Sequence, residues 1–114
     1  MKSLTQRSVE KLQEEGYVVS VVEHYDKRSR KRFDAFGCID IIAVHPDNNG
    51  TLYVQTTSKG HISDRVKKVS GQVSFMDACL RAGNRIVIHG WFTDMLGLWC
   101  CKEREIKEWK TKIS

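Results

Sequence analysis

Two β-branched runs, residues 17–24 (YVVSVVEH) and 38–45 (CIDIIAVH), are apolar at successive positions rather than at alternate ones. A strand of that kind carries apolar side chains on both sides of its sheet, so each face needs a covering layer. The sequence offers two helices to supply them. Ser3 or Thr5 can cap a helix through Glu15, with Leu4, Ser8, Val9 and Leu12 on one stripe and Gly16 as its stop. Between residues 62 and 80, Ile62, Val66, Val69, Val73, Met76 and Leu80 recur at spacings of four and three, which predicts one long amphipathic helix. A turn at residues 46–50 (PDNNG) leads into a third strand over 51–57 (TLYVQTT). Gly83 and Asn84 close the long helix before strands over 85–91 (RIVIHGW) and 96–102 (LGLWCCK). Residues 103–114, with Ile106 and Trp109 three apart, read equally as a helix or as an extension of the last strand. The order helix, three strands, helix, strand, strand predicts an α/β sandwich with a mixed central sheet.

At 114 residues the chain is expected to form a single domain, 1–114. With 40% hydrophobic and 29% charged residues and no long apolar run, a disordered chain and a membrane span are both excluded as expectations. Residues 1–10 are too polar for a secretory signal, which points to the cytoplasm. The four cysteines form no C-x-x-C pair, so buried reduced thiols are expected rather than a zinc site or a disulfide framework. A net charge of +5 suits a polyanionic partner. Five cations, Lys27, Arg28, Arg30, Lys31 and Arg32, fall within residues 26–33, which lack periodicity and predict an exposed basic loop able to hold a nucleic-acid backbone. Phe33 and Phe36 follow it and are suited either to stack on an exposed base or to tuck into the core. His24, His61 and His89 have no ligand spacing, and His89 is expected to be a satisfied core residue.

Asp40 is the residue that points to chemistry. A carboxylate in the middle of an apolar strand is costly to bury unless something binds it. Gln55 and Thr57, two apart on the next strand, project from one face, and the hairpin can bring that face beside Asp40. A carboxylate and a side-chain oxygen meeting at a sheet are suitable hard ligands for Mg²⁺ or Mn²⁺. The alternative is an Asp paired with a loop Arg or with backbone N–H groups.

Residues 37–43 (GCIDIIA), a turn, and residues 52–57 (LYVQTT) resemble the core of the PD-(D/E)XK nuclease superfamily, in particular archaeal Holliday junction resolvases and their small phage-borne relatives. The resemblance implies a restriction-endonuclease-like αβββαβ core with a mixed central sheet flanked by helices, covering roughly residues 3–91. It also implies a Mg²⁺-dependent endonuclease acting on DNA, branched DNA included, and a homodimer working in the cytoplasm, the host's if the source is a phage. Asp40 matches the family's first metal ligand and Gln55 the second, in the glutamine variant of the motif. Thr57 stands where the family has the lysine that orients or activates the attacking water. Its hydroxyl supplies no positive charge, so a relocated cation is expected in its place, first Lys59 curling back over the metal or else Arg65, Lys67 or Lys68 of the long helix; the alternative for all four is to contact phosphate or solvate the helix start. Asp34 is expected to approach the same metal from its loop, or else to form a turn. Glu10 resembles a helix-borne glutamate near the metal, its alternative being an exposed helical position. Two other functions compete with catalysis: a nucleic-acid-binding module that keeps the fold without the chemistry, and a phage-type interaction or inhibitor protein. The apolar stretch 95–99 (MLGLW) is the expected pairing surface.

Overall fold

The computed structural model describes residues 1–107, so Trp109 and the rest of the tail lie outside the described residues. In chain order the elements are α1 (Leu4–Glu14), β1 (Val18–Val21), β2 (His24–Asp26), β3 (Lys31–Phe33), β4 (Ile41–Val44), β5 (Leu52–Ser58), a 3₁₀ turn (Lys59–His61), α2 (Ile62–Ser70), α3 (Val73–Arg81), β6 (Arg85–Thr93) and β7 (Trp99–Ile106). Five strands form one sheet in the order β1-β4-β5-β6-β7, while β2 and β3 pair with each other. Strands β5 and β6 run parallel and the other neighbours antiparallel, so the fold is α/β with a mixed sheet. Parallel neighbours need a crossover, and α2 and α3 provide it.

The sheet is covered from both sides. Leu12 of α1 packs with Ile41, Ala43, Leu52, Val54 and Val87 on one face. On the other, Ile62, Val69, Met76 and Cys79 of α2 and α3 meet Ile39, Ile86, Ile88 and Ile106. Alternation along β6 sends Val87 one way and its two isoleucine neighbours the other. Ser3 caps α1 by accepting from the Gln6 N–H at 3.0 Å, and Gly16, at φ 95°, ends it.

Four expectations are corrected. The first strand is not covered on both faces. It is an edge strand covered by α1 on one face, where Val19 packs on the core, while Val18 and Val21 are 68% and 49% exposed. The basic loop is a hairpin, β2 against β3, in which Asp26 accepts from the Arg28 N–H at 3.1 Å and the Ser29 hydroxyl at 2.9 Å to close the turn. The long helix breaks at Gly71 and Gln72. Gly71 weakens the helix there, and the break turns the apolar stripe by one position. Val73 is consequently exposed, and Cys79 is buried where the unbroken period selects Leu80. The last strand begins at Trp99 rather than Leu96. The preceding turn is held by Asp94 Oδ1, which accepts from the N–H groups of Leu96 and Leu98 at 2.9 Å each and leaves Met95, Leu96 and Leu98 exposed. That strand runs on to Ile106, so residues 103–106 extend it. Among the described residues no helix is long and apolar enough to cross a membrane.

Candidate metal centre

Asp40 lies just before β4, where the sheet already grips its backbone. Its N–H donates to the Val54 carbonyl at 2.9 Å, and its carbonyl accepts from the Val22 N–H at 2.8 Å. The side chain is 3% exposed. Its Oδ2 accepts three bonds: from Gln55 Nε2 at 2.6 Å, from the Thr56 N–H at 2.8 Å and from the Thr56 hydroxyl at 3.2 Å. Burial first, and then the charges of Glu23 and Asp34, push the Asp40 carboxyl up to about 7 against the downward pull of the Thr56 N–H.

Those two neighbours complete an acidic group. One carboxylate oxygen from each of Glu23, Asp34 and Asp40 lies within 4.8 Å of the others. Each flanking carboxylate is pinned from outside. Glu23 accepts from the Thr5 hydroxyl at 2.8 Å and from Arg32 at 3.2 Å, and Asp34 accepts from Lys68 Nζ at 2.9 Å. All of these groups line a cavity of about 460 Å³ together with Gln55, Thr57, His61 and Arg65.

Two acceptors in this cavity have no partner. Gln55 is 3% exposed, and its Oε1 is buried and unbonded, as is Oδ1 of Asp34. Buried polar atoms in folded proteins are nearly always satisfied, so unmet acceptors beside clustered carboxylates have room for a bond to water or to a ligand. The donor set is all oxygen: three carboxylates and an amide. Such a set suits a hard divalent cation, Mg²⁺ and Mn²⁺ among them, and the residues present fit one.

The predicted site residues divide into two groups. Asp34, Asp40, Gln55, Thr57, Arg32, Arg65 and Lys68 come together in the cavity. The Arg65 Nε donates to the Thr57 hydroxyl at 3.4 Å. Glu10 does not join them. It accepts from Lys2 at 2.6 Å and from Gln6 at 3.2 Å, since it sits two positions from both Ser8 and Leu12 and so points away from the buried stripe. Lys59, from the 3₁₀ turn, places Nζ over the Phe92 ring at 4.5 Å and does not line the cavity. Lys67 is exposed on α2, off the face that Arg65 and Lys68 share at a spacing of three. Lys27, Arg28 and Arg30 stand on the exposed turn of the β2–β3 hairpin, and Lys31 and Arg32 are exposed on β3. Glu23 is the residue that sequence reasoning missed. It lies one residue beyond Val22, which bonds Asp40 across the antiparallel β1–β4 pair, so a correct register for those two strands would have exposed it.

The close approach of α2 depends on Gly90 of β6, where a Cβ would overlap the Ile62 side chain. Cys38, next to Asp40, is fully buried and its thiol is pushed up to about 11 by burial, so it serves as packing. Comparison with protein-family models, with curated proteins and with solved structures gives no match for this chain.

Proposed function

We propose that the chain is a divalent-metal-dependent DNA endonuclease of the PD-(D/E)XK type, hydrolysing phosphodiester bonds at the Asp40 cavity. The observation that carries this reading is the meeting of Glu23, Asp34 and Asp40 beside the unpartnered Gln55 Oε1. Support comes also from the element order. With the β2–β3 hairpin set aside, the chain runs helix, three antiparallel strands, helical crossover, parallel strand.

Glu23, Asp34, Asp40 and the Gln55 amide oxygen would hold Mg²⁺ or Mn²⁺. A cation held there would lower the pKa of a water and offset charge on a phosphate. The chain's own contributions are positional and electrostatic. Arg32 and Lys68 fix the outer carboxylates through their ion pairs, and the Thr56 N–H fixes the central one. Arg65 supplies the positive charge that Thr57 lacks, because its guanidinium reaches the Thr57 hydroxyl at the motif's third position. The cations of the β2–β3 hairpin hold the DNA backbone across the cavity mouth.

The test is cleavage of linear and branched DNA with Mg²⁺ or Mn²⁺, run beside Asp40→Asn. Metal-dependent cleavage that Asp40→Asn abolishes is the expected result. Thr57 at the lysine position favours a second reading, a binding module without catalysis. Salt-sensitive DNA binding with neither metal uptake nor cleavage would establish it instead.

A further inference from the structure

A second cavity, of about 680 Å³, lies on the other side of the turn that carries Asp34 and Asp40. Its walls include Phe36, Tyr53 and Phe75, with the amides of Gln72 and Asn84 among its polar lining groups. Phe36 stacks on Phe75 with ring centres 4.4 Å apart and planes 18° apart, and Tyr53 meets both rings edge-on.

The backbone at Phe36 is the unusual feature. The Cys38 N–H donates to the Ala35 carbonyl at 3.1 Å, and both central residues of this turn have positive φ, 56° at Phe36 and 75° at Gly37. That is the type I′ pattern, whose first position favours Asn, Asp or Gly. A phenylalanine there is strained, and Phe36 remains 55% exposed, so core packing accounts for only part of its ring. A strained aromatic half in water, over a cavity of ligand size, is a residue held for what it touches.

We propose that this cavity takes one unpaired nucleobase of a DNA strand whose phosphate lies at the Asp40 cavity, stacked on Phe36. The inference rests on DNA being the substrate proposed above. The two cavities share the turn from Asp34 to Asp40, with Asp34 and Asp40 lining one and Phe36 the other. The hairpin cations Lys27, Arg28, Arg30 and Lys31, with Arg65 at the cavity, complement the strand's phosphates. Asn84 Oδ1 accepts from the Thr51 N–H at 2.7 Å, which leaves its amide N–H₂ to donate to a base edge.

The test is fluorescence anisotropy in chelator, so that no cleavage enters. Three probes are compared: a paired duplex, the same duplex with one unpaired adenine, and that duplex with an abasic residue in its place. The wild-type chain is expected to bind the unpaired-base probe about ten-fold more tightly than the abasic one, the scale of one aromatic stack. Phe36→Asn suits the turn, should melt no lower than wild type, and should lose this preference while binding paired duplex as before. Equal wild-type affinity for the unpaired-base and abasic probes, or a preference that survives Phe36→Asn, overturns the proposal. The wild-type arm decides alone if the variant does not fold. A chain that cleaves with metal yet shows no base preference loses the base site and keeps the metal centre. A chain with the preference but no metal uptake does the reverse.

Discussion

His89 and Asp40 are buried equally deep beside the same sheet, at 1% and 3% exposure, and their surroundings differ in kind. His89 faces α1. Ser8 Oγ accepts from the Trp91 indole N–H at 2.9 Å and lies 2.8 Å from His89 Nδ1, to which it can give its own proton. Each polar atom named in that trio answers another, and burial holds the imidazole down at about 4, neutral at ordinary pH. Around Asp40 the balance is reversed. Three carboxylates crowd together, and two acceptors, Gln55 Oε1 and Asp34 Oδ1, are left without donors. A closed polar group is structure, whereas a buried excess of acceptors at a cavity wall is the arrangement that the proposed cation would satisfy.

The strongest way to break that comparison is Asp40→Asn. It should abolish metal-dependent cleavage, by about 1000-fold or more on the scale of losing a principal charge-stabilising group. In chelator it should also separate two opposing pH dependences. The Asp40 pKa is raised from 3.8 to about 7, so its contribution to stability is full at acid pH and is lost as the pH rises through about 7. The His89 pKa is lowered from 6.5 to about 4, so its contribution is full above about 6.5 and is lost as the pH falls towards 4. The two effects therefore oppose each other between about pH 4 and 6.5 in the wild-type chain. Denaturant melts of Asp40→Asn should therefore show stability rising from about pH 4 to 6.5 more steeply than in the wild-type chain.

Next in size is Ser8→Ala, which leaves His89 Nδ1 and the Trp91 indole N–H without their partner. A loss of about 2–4 kcal/mol in denaturant melts is expected, with metal affinity unchanged. The inverse pattern, intact stability and weakened metal binding, would dissolve the distinction between the two regions. Smaller again is Arg65→Gln, which keeps the side chain's bulk and removes its charge. Turnover should fall by about 10- to 100-fold in single-turnover cleavage, with metal affinity nearly intact. Lys59→Ala should change turnover least, by less than about three-fold, since its ammonium rests on Phe92.

Much of this arrangement is legible in the chain itself. Asp40 stands out because a charge inside CIDIIAVH needs a reason, and the two-residue spacing of Gln55 and Thr57 placed both beside it in one cavity. Helix α1, the sheet strands β5 and β6, and the mixed character of the sheet also follow from punctuation and periodicity. What is not legible has particular causes. Residues 17–24 look doubly buried because β-branched residues also suit an exposed edge, and composition does not tell the two apart. The break at Gly71 leaves the apolar period almost intact, so a window over 62–80 sees one helix. Glu23 enters the site through strand register, which is a tertiary fact. Lys59 illustrates the converse: sequence distance brought it close to Thr57, while the 3₁₀ turn carried its amine to Phe92.

The central claim is that the Asp40 cavity binds a divalent cation through Glu23, Asp34, Asp40 and Gln55. Calorimetric titration of Mn²⁺ into the wild-type chain and Asp40→Asn at about pH 8, where the Asp40 carboxyl is ionised, tests it most directly. The account predicts saturable binding to the wild-type chain and none to Asp40→Asn, with the variant at least as stable as its parent in chelator. Equal Mn²⁺ binding by the two chains, or none by a folded wild-type chain, would contradict it.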